Sequence, residues 1–287
     1  LKLSKEEPMI INHISVSRKK CYDTCAQQYK FRYHLKVPRP GEEPFYFTYG
    51  SVVHRIAEVY VQRNGEDNIG DIASDLLRGK IVYEVHDGKE IMCPISEMPE
   101  DYAKKFPKHL KAIKNLTDKI GTDGVTEHPF YYDLDAPNEK FAKGFLDRLI
   151  IKGEGADRKA FIIDYKTTKK GKWRVNKDTV KTDLQLRMYS RVVQREFDIK
   201  AENIKAALFY LEGENLIACQ YSEQSLEDVE KDLHDSHIMI GEADADQVWG
   251  KVGWHCKFCD YRNMCPFYTP TSKAQDAFDG DMSKLGF

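Results

Sequence analysis

Two aspartates and a lysine stand at the ends of neighbouring β-prone segments. Asp147 lies in a first apolar run, GFLDRLII. Asp164 and Lys166 end a second run, FIIDYK. A link rich in glycine and aspartate joins the runs and predicts a hairpin or near-hairpin, with both carboxylates at one edge of a sheet. Strand side chains alternate between faces, so Asp164 and Lys166 point the same way. Two carboxylates beside an amine suit a hard cation such as Mg²⁺ and a phosphodiester.

Two helices must bring further side chains to this edge. The segment GSVVHRIAEVYVQR has an apolar face and carries His54 and Glu58 as i, i+4 neighbours. A lone helical histidine is more often structural than a ligand, and Glu58 is interpreted as an orienting or surface residue. The later helix DLQLRMYSRVVQREF places Gln185 and Tyr189 on one face.

An acidic and a basic segment flank the aspartate motif. The strand VTEHPFYYDLD carries Glu127, which is either a site residue or an exposed carboxylate at a strand end. The segment after the lysine is predicted to follow a DNA backbone with its cations and to stack a base on its tryptophan, although a solvated loop has the same pattern. Its candidate DNA-binding residues are Lys169, Lys170, Lys172, Trp173, Arg174 and Lys177.

The cysteines form a second motif. The segment WHCKFCDYRNMCPF contains Cys256, Cys259 and Cys265, a local arrangement typical of a metal site. Three thiolates leave one position of a tetrahedral shell to another residue, and zinc or an iron–sulfur cluster fits that count. His255 is a candidate ligand in the zinc alternative. Cysteines are also present at the other end of the chain, in a helix predicted to begin at Ser15 or Ser17.

The order of these motifs resembles a known family. The D…DxK pattern is similar to the PD-(D/E)XK nuclease superfamily. The motifs Gly-x-x-x-His-x-x-x-Glu before it and Gln-x-x-x-Tyr after it resemble the RecB-type branch. That branch includes the nuclease domains of the RecB and AddB recombination proteins and the iron–sulfur nucleases of CRISPR adaptation. The Ser-x-Ser start, a cysteine and an aromatic cluster also resemble the opening of these proteins, and in that register the matching cysteine is Cys25 rather than Cys21.

The resemblance implies an α/β fold with a restriction-endonuclease-like core, in which helices flank a central mixed sheet. It also implies a cysteine-cluster cap that joins the two termini. The resemblance does not cover the middle of the chain, whose residues look mostly helical and predict a helical insert. We therefore expect five segments: 1–62 with the cluster cysteine and the histidine motif, 63–125 as the insert, 126–220 as the nuclease core, 221–268 with the C-terminal helix and cysteine cluster, and 269–287 as a flexible tail.

The resemblance also assigns roles. It implies Mg²⁺ or Mn²⁺ held by His54, Asp147, Asp164 and the backbone carbonyl of Tyr165. Lys166 would act on the attacking water and the phosphate, with Gln185 and Tyr189 positioning it or the substrate. A 4Fe–4S cluster, favoured over zinc, would be held by Cys25, Cys256, Cys259 and Cys265.

Composition sets outer limits on the function. The 287 residues are 41% hydrophobic and 31% charged, as in an ordinary globular protein, and the net charge of −2 confines any DNA affinity to local patches. No apolar run approaches the roughly 18 residues that span a bilayer. The opening residues lack a signal-peptide layout, so we expect a cytoplasmic protein whose seven cysteines serve metal or catalysis.

These observations predict a metal-dependent deoxyribonuclease, an exonuclease by likeness, used in recombination, repair or replication. Without a GxxxxGK[ST] motif in the sequence, any helicase partner is a separate chain. The first alternative is a catalytically silent subunit that binds or scaffolds DNA ends. The second is a zinc-stabilised ribonuclease.

Overall fold

The computed structural model describes residues 8–9, 11–41, 44–79, 97–168 and 174–268. The chain divides into two compact units. The first consists of residues 1–43, 131–144 and 231–287, and the second of residues 44–130 and 145–230. Each unit is therefore assembled from stretches that are distant in the sequence. The division into five segments stays a prediction.

The strands form a mixed sheet in the order β1-β2-β3-β4-β5. β3 pairs antiparallel with β2 and parallel with β4, and β4 pairs antiparallel with β5. The strands are β1 (Val125–Asp135), β2 (Lys140–Lys152), β3 (Lys159–Lys166), β4 (Ile204–Tyr210) and β5 (Asn215–Cys219). The helices of the described residues are α1 (Val16–Thr24), α2 (Ala26–Tyr29), α3 (Phe45–Gln62), α4 (Ile69–Leu77), α5 (Glu100–Ala103), α6 (Phe106–Ile120), α7 (Leu184–Phe197) and α8 (Glu223–Glu242).

The core of the second unit lies between the sheet and three helices. Buried side chains of α3, α4 and α6 form one hydrophobic cluster with Ile163 and Tyr165 of β3. Since strand residues alternate, Ile162 and Asp164 face the opposite side, where α7 packs against β3 and β4. Each fully buried aliphatic side chain contributes about 1.5–3 kcal/mol, so the packing fixes which residues of β3 point toward α7.

The link between β2 and β3 requires glycine. Lys152 and Lys159 are the last paired positions of the two strands. Gly153 has φ +88°, and a Cβ added there would lie 2.8 Å from the backbone oxygen of Asp157. A side chain would clash in this left-handed conformation, so Gly153 allows the tight return that sets the register of the hairpin.

The first unit begins its helices at Ser15, one of the two predicted caps. The Ser15 Oγ accepts a hydrogen bond from the backbone N–H of Arg18 at 3.2 Å. The helical path breaks at Cys25, whose φ of −164° is extended, and α2 then leads into a π-helical turn, Lys30–His34. Before α1, Ile14 pairs with the strand residues Phe141 and Lys143 through hydrogen bonds of 2.8 and 2.9 Å.

Candidate active site

The two aspartates lie next to each other, as predicted. The edge that they share is the end of the pairing between β2 and β3, which are inner strands of the sheet. Arg148 pairs with Ile163 across β2 and β3, so Asp147 and Asp164 occupy the adjacent positions of the two strands. The Asp147 Oδ2 accepts a hydrogen bond from the backbone N–H of Tyr165 at 2.7 Å. This bond fixes one carboxylate against the backbone that carries the other.

Lys166 lies beside Asp164, as the alternation of β3 predicts. Its Nζ is 2.7 Å from Asp164 Oδ2 and donates a hydrogen bond to Gln185 Oε1 at 2.9 Å. Burial opposes the charged form of the lysine, but the carboxylate of Asp164 outweighs this and raises the pKa of Lys166. The side chain is therefore an ammonium held in a defined direction.

Helix α7 places Gln185 over this pair. Asp183 begins the helix, and its Oδ1 accepts from the N–H of Leu186 at 2.9 Å. The Gln185 Nε2 donates to Asp164 Oδ1 at 2.6 Å and to the Tyr189 hydroxyl oxygen at 2.8 Å. One amide thus connects a carboxylate, an ammonium and a phenol, and the predicted shared face of Gln185 and Tyr189 is present.

His54 reaches the same edge from α3. Its Nδ1 lies 3.3 Å from Asp147 Oδ2. Burial disfavours the imidazolium, but the neighbouring carboxylates, Asp147 first, raise the pKa of His54 to about 9. The same pair lowers the pKa of Asp147 against the effect of its burial, whereas burial raises the pKa of Asp164 to about 6. The two aspartates of the edge therefore differ in acidity.

Glu127 is the site residue that the sequence left undecided. One ligand atom each from His54, Glu127 and Asp147 lie within 4.8 Å of one another, an arrangement that could hold a metal ion. Glu127 has φ +47°, an uncommon conformation for a residue with a side chain, which costs of order 1–3 kcal/mol. Burial and the charge of Asp147 raise the pKa of Glu127 to about 7. Glu58 instead forms an ion pair with Arg55 at 2.6 Å.

Part of the predicted DNA-binding segment can be placed. Lys169, Lys170, Lys172 and Trp173 lie outside the described residues. Arg174 stacks on the Tyr210 ring at 3.6 Å from its centroid and donates to the Glu212 carbonyl at 3.4 Å. Lys177 is exposed.

The four predicted cluster cysteines line one cavity within the first unit: Cys25, Cys256, Cys259 and Cys265. None of these four cysteines forms a disulfide. The break between α1 and α2 places Cys25 there. Burial raises the pKa of Cys259, and the nearby thiol groups of Cys25, Cys256 and Cys265 raise it further. The four sulfurs are therefore close enough to interact electrostatically.

Two further cysteines differ from this set. Cys21 is buried and is not among the residues that line the cavity; burial raises the pKa of its thiol to about 12. Cys219 lies in the apolar strand β5, where its sequence context predicts a buried core thiol, but that prediction is wrong. It is only half-buried because β5 is the last strand of the sheet order.

A model of the PD-(D/E)XK nuclease superfamily matches residues 13–266. The chain belongs to this superfamily. No curated protein matches the sequence. Among solved structures, the PD-(D/E)XK chain is similar to the protein of the "Crystal structure of SSO0001", with 15% sequence identity and a TM-score of 0.41; the match covers 94% of this chain and 91% of the other.

Membership in the PD-(D/E)XK superfamily confirms the predicted superfamily, and the mixed five-stranded sheet flanked by helices confirms the predicted core fold. The superfamily implies a metal-dependent nuclease that acts on DNA. The RecB-type branch and the cysteine-cluster cap stay predictions. Asp147, Asp164 and Lys166 occupy the D…DxK positions quoted from the sequence. The donors His54, Glu127 and Asp147 form the candidate metal site. Within the described part of the chain, no helix is both long and apolar enough to cross a bilayer.

Proposed function

We propose that the chain is a divalent-metal-dependent deoxyribonuclease of the RecB-type branch, acting as an exonuclease in recombination, repair or replication. The observation that carries the proposal is the meeting of His54, Asp147, Asp164 and Lys166 at one edge of the sheet. Their contacts of 2.7 to 3.3 Å, together with the hydrogen bonds of Gln185, form one continuous network. A scaffold that had lost catalysis would have no need to keep this set complete.

The donor set fits Mg²⁺ or Mn²⁺. Carboxylate oxygens are the ligands that hard cations prefer, and one imidazole is compatible with Mn²⁺. We assign Asp147, His54, Asp164 and the Tyr165 carbonyl to the ion, and we add Glu127 because its carboxylate belongs to the ligand group described above. When bound, the ion supplies a water of lowered pKa and neutralises charge on the phosphate.

The remaining side chains of the site contact the phosphate or hold one another in position. Lys166 presents its ammonium to the phosphate, and its raised pKa favours charge stabilisation over proton abstraction. Gln185 holds Lys166 through Oε1 and Asp164 through Nε2, so it is a positioning residue. The imidazole of His54 must lose a proton to become a ligand, so metal uptake should release protons at neutral pH.

Digestion of end-labelled linear and circular DNA tests the activity. Purified protein with Mn²⁺ should degrade the linear substrate and stop on addition of chelator. Lys166→Ala should lower the rate by about 100-fold or more, the range of a lost group that stabilises transition-state charge. Lys159→Ala, at the other end of β3, is the matched control and should keep the rate. Equal degradation by wild type and Lys166→Ala would refute the catalytic assignment and favour the silent DNA-end-binding subunit.

Metal titration tests Glu127 separately from cleavage. Glu127→Gln keeps the shape of the side chain but removes an anionic ligand, so we expect Mn²⁺ affinity measured by calorimetry to fall about tenfold or more. Glu58→Gln, which changes the acid on α3 paired with Arg55, is the control and should retain most of the affinity. Wild-type affinity in Glu127→Gln would remove Glu127 from the ligand set.

We also propose that Cys25, Cys256, Cys259 and Cys265 hold a 4Fe–4S cluster, with zinc as the alternative. Four cysteines that line one cavity and form no disulfide fit either metal centre. Protein purified without oxygen should be brown and contain iron and acid-labile sulfide. Cys25→Ser should lose both, whereas Cys21→Ser should retain them. A colourless zinc protein that prefers RNA would support the ribonuclease alternative.

The cellular setting is likewise proposed. A cytoplasmic location, a DNA substrate with single-stranded or duplex ends, and a separate helicase or replication partner follow from the RecB-type likeness. The basic segment after β3 would track the DNA backbone. Replacing exposed Lys177 by Ala should weaken DNA binding. It should also reduce the slope of log K against log salt by about the contribution of one phosphate contact.

A further inference from the structure

The cysteine segment of the first unit exposes aromatic rings to solvent. Trp254 is 54% exposed and Phe258 is 71% exposed. Their ring centroids lie 6.4 Å apart at an interplanar angle of 69°. Contiguous exposed apolar side chains mark candidate sites of interaction.

Two cations accompany these rings. The Lys257 Nζ lies 5.2 Å from the centroid of Phe258, and Arg262 donates a hydrogen bond to the Lys257 carbonyl at 2.9 Å. Both basic residues are exposed. We call this group the aromatic–basic surface; its members are Trp254, Lys257, Phe258 and Arg262.

The local charge is opposite to that of the chain. Residues 249–264 contain three basic residues, Lys251, Lys257 and Arg262, against the single carboxylate of Asp260, whereas the whole chain has a net charge of −2. That carboxylate is engaged, since its Oδ2 lies 3.3 Å from Arg39 Nε. The aromatic–basic surface therefore offers positive charge to a partner.

Backbone hydrogen bonds hold the surface in place. The rings lie on a 3₁₀ turn, Trp254–Phe258, in which the N–H of Cys256 donates to the Gly253 carbonyl at 2.9 Å. The N–H of Cys259 donates to the Cys256 carbonyl at 3.1 Å. Rings presented by a fixed turn lose little conformational freedom when they bind.

We propose that the aromatic–basic surface is a binding site for single-stranded DNA, separate from the candidate active site. Bases of an unpaired strand expose their faces for stacking, while the cations contact the phosphates between them. A duplex keeps its bases stacked inside, so the rings favour single strands. The choice of DNA rests on the proposed function; the stacking and the charge do not.

Binding to a fluorescein-labelled oligothymidylate in chelator tests the surface without turnover, so failed cleavage and failed binding are distinguishable. Stacking contributes about 1–3 kcal/mol per base, and we expect Phe258→Ala to raise the Kd of the full chain about 5- to 150-fold in fluorescence anisotropy. Lys257→Ala should reduce the slope of log K against log salt by about 0.7. Tyr131→Ala removes a ring on β1 that is 60% exposed and should leave the Kd unchanged.

Tryptophan fluorescence guards against a variant that fails to fold. In a Trp173→Phe background, Trp249 and Trp254 are the remaining tryptophans, and the oligonucleotide should quench their emission. Quenching together with the loss in Phe258→Ala supports the proposal. An unchanged Kd in Phe258→Ala, or binding without quenching, overturns it and leaves the rings to a protein partner.

Discussion

Gln185→Glu provides the sharpest test of the network around the lysine. The substitution keeps the shape of the side chain but removes the Nε2 that donates to Asp164 Oδ1 at 2.6 Å and to Tyr189 at 2.8 Å. It also places a second carboxylate against Asp164, which is 1% exposed. A buried pair of like charges should destabilise the fold and disturb the position of Lys166.

The size of the effect follows from the geometry. Two charges about 4 Å apart repel by roughly 4 kcal/mol at an effective dielectric constant of about 20. Attraction to Lys166 and to the start of α7 recovers about 2 kcal/mol, and the two lost hydrogen bonds remove about the same amount. A proton can relieve the repulsion: because burial raises the pKa of Asp164 to about 6, protonating it at pH 8 costs about 3 kcal/mol. We therefore expect a loss of about 3 kcal/mol at pH 8.

The sign of the pH dependence is fixed by that proton. As the pH falls from 8 to 6, protonation becomes nearly free, and the loss in Gln185→Glu should shrink below about 1 kcal/mol. Urea unfolding in chelator at both pH values measures it.

Gln62→Glu is the matched control. The exposed amide of Gln62 also donates to a carboxylate, Glu58 Oε1, at 3.0 Å. Water screens this pair, so the cost should stay within about 0.5 kcal/mol. Equal losses in the two variants, or a loss in Gln185→Glu that does not change with pH, would refute the network described for Gln185.

Two further predictions test the scaffold. Gly124→Ala should lower the free energy of unfolding by at least about 2 kcal/mol, because a Cβ there would lie 2.2 Å from the Leu149 carbonyl oxygen. Gly155 also has a positive φ but faces open space, so Gly155→Ala should lower it by about 1 kcal/mol. Similar shifts in unfolding temperature for the two variants would contradict this. His109→Gln should reduce the loss of unfolding free energy that occurs as the pH falls. Burial lowers the pKa of His109 to about 4, so below pH 6.5 the unfolded state takes up a proton that the folded state does not. Wild type should lose about 3 kcal/mol between pH 7 and 4 that the variant, still able to bond Tyr49, retains.

Local spacing was sufficient to predict the centre of the site. The alternation of β3 gives Asp164 and Lys166 one direction, and the helical period gives Gln185 and Tyr189 another. These relations depend on the regular geometry of one element. The glycine-containing link made the pairing of β2 with β3 predictable as well, because a short connection restricts two strands to being neighbours.

Features that depend on irregular backbone or distant pairing were not predictable. Glu127 lies with His54 and Asp147 because its own backbone is left-handed within β1, and a glutamate in the sequence does not predict that conformation. Cys219 is half-buried because β5 is the last strand in the order of the described sheet, and that order cannot be seen from the local sequence. The extended residue that interrupts the first helix at Cys25 is likewise set by tertiary structure, since the local sequence favours a continuous helix.

The first unit is discontinuous, and this has a consequence for synthesis. Residues 1–43 leave the ribosome before their partners in 231–287 exist, and about 190 residues separate the two stretches. At roughly 5–20 residues per second, the early segment waits about 10–40 s before its unit can form. During that interval Cys25 is a reduced thiol on an incomplete fold. A metal centre that uses these four cysteines, as proposed above, can therefore be completed only after Cys265 has emerged.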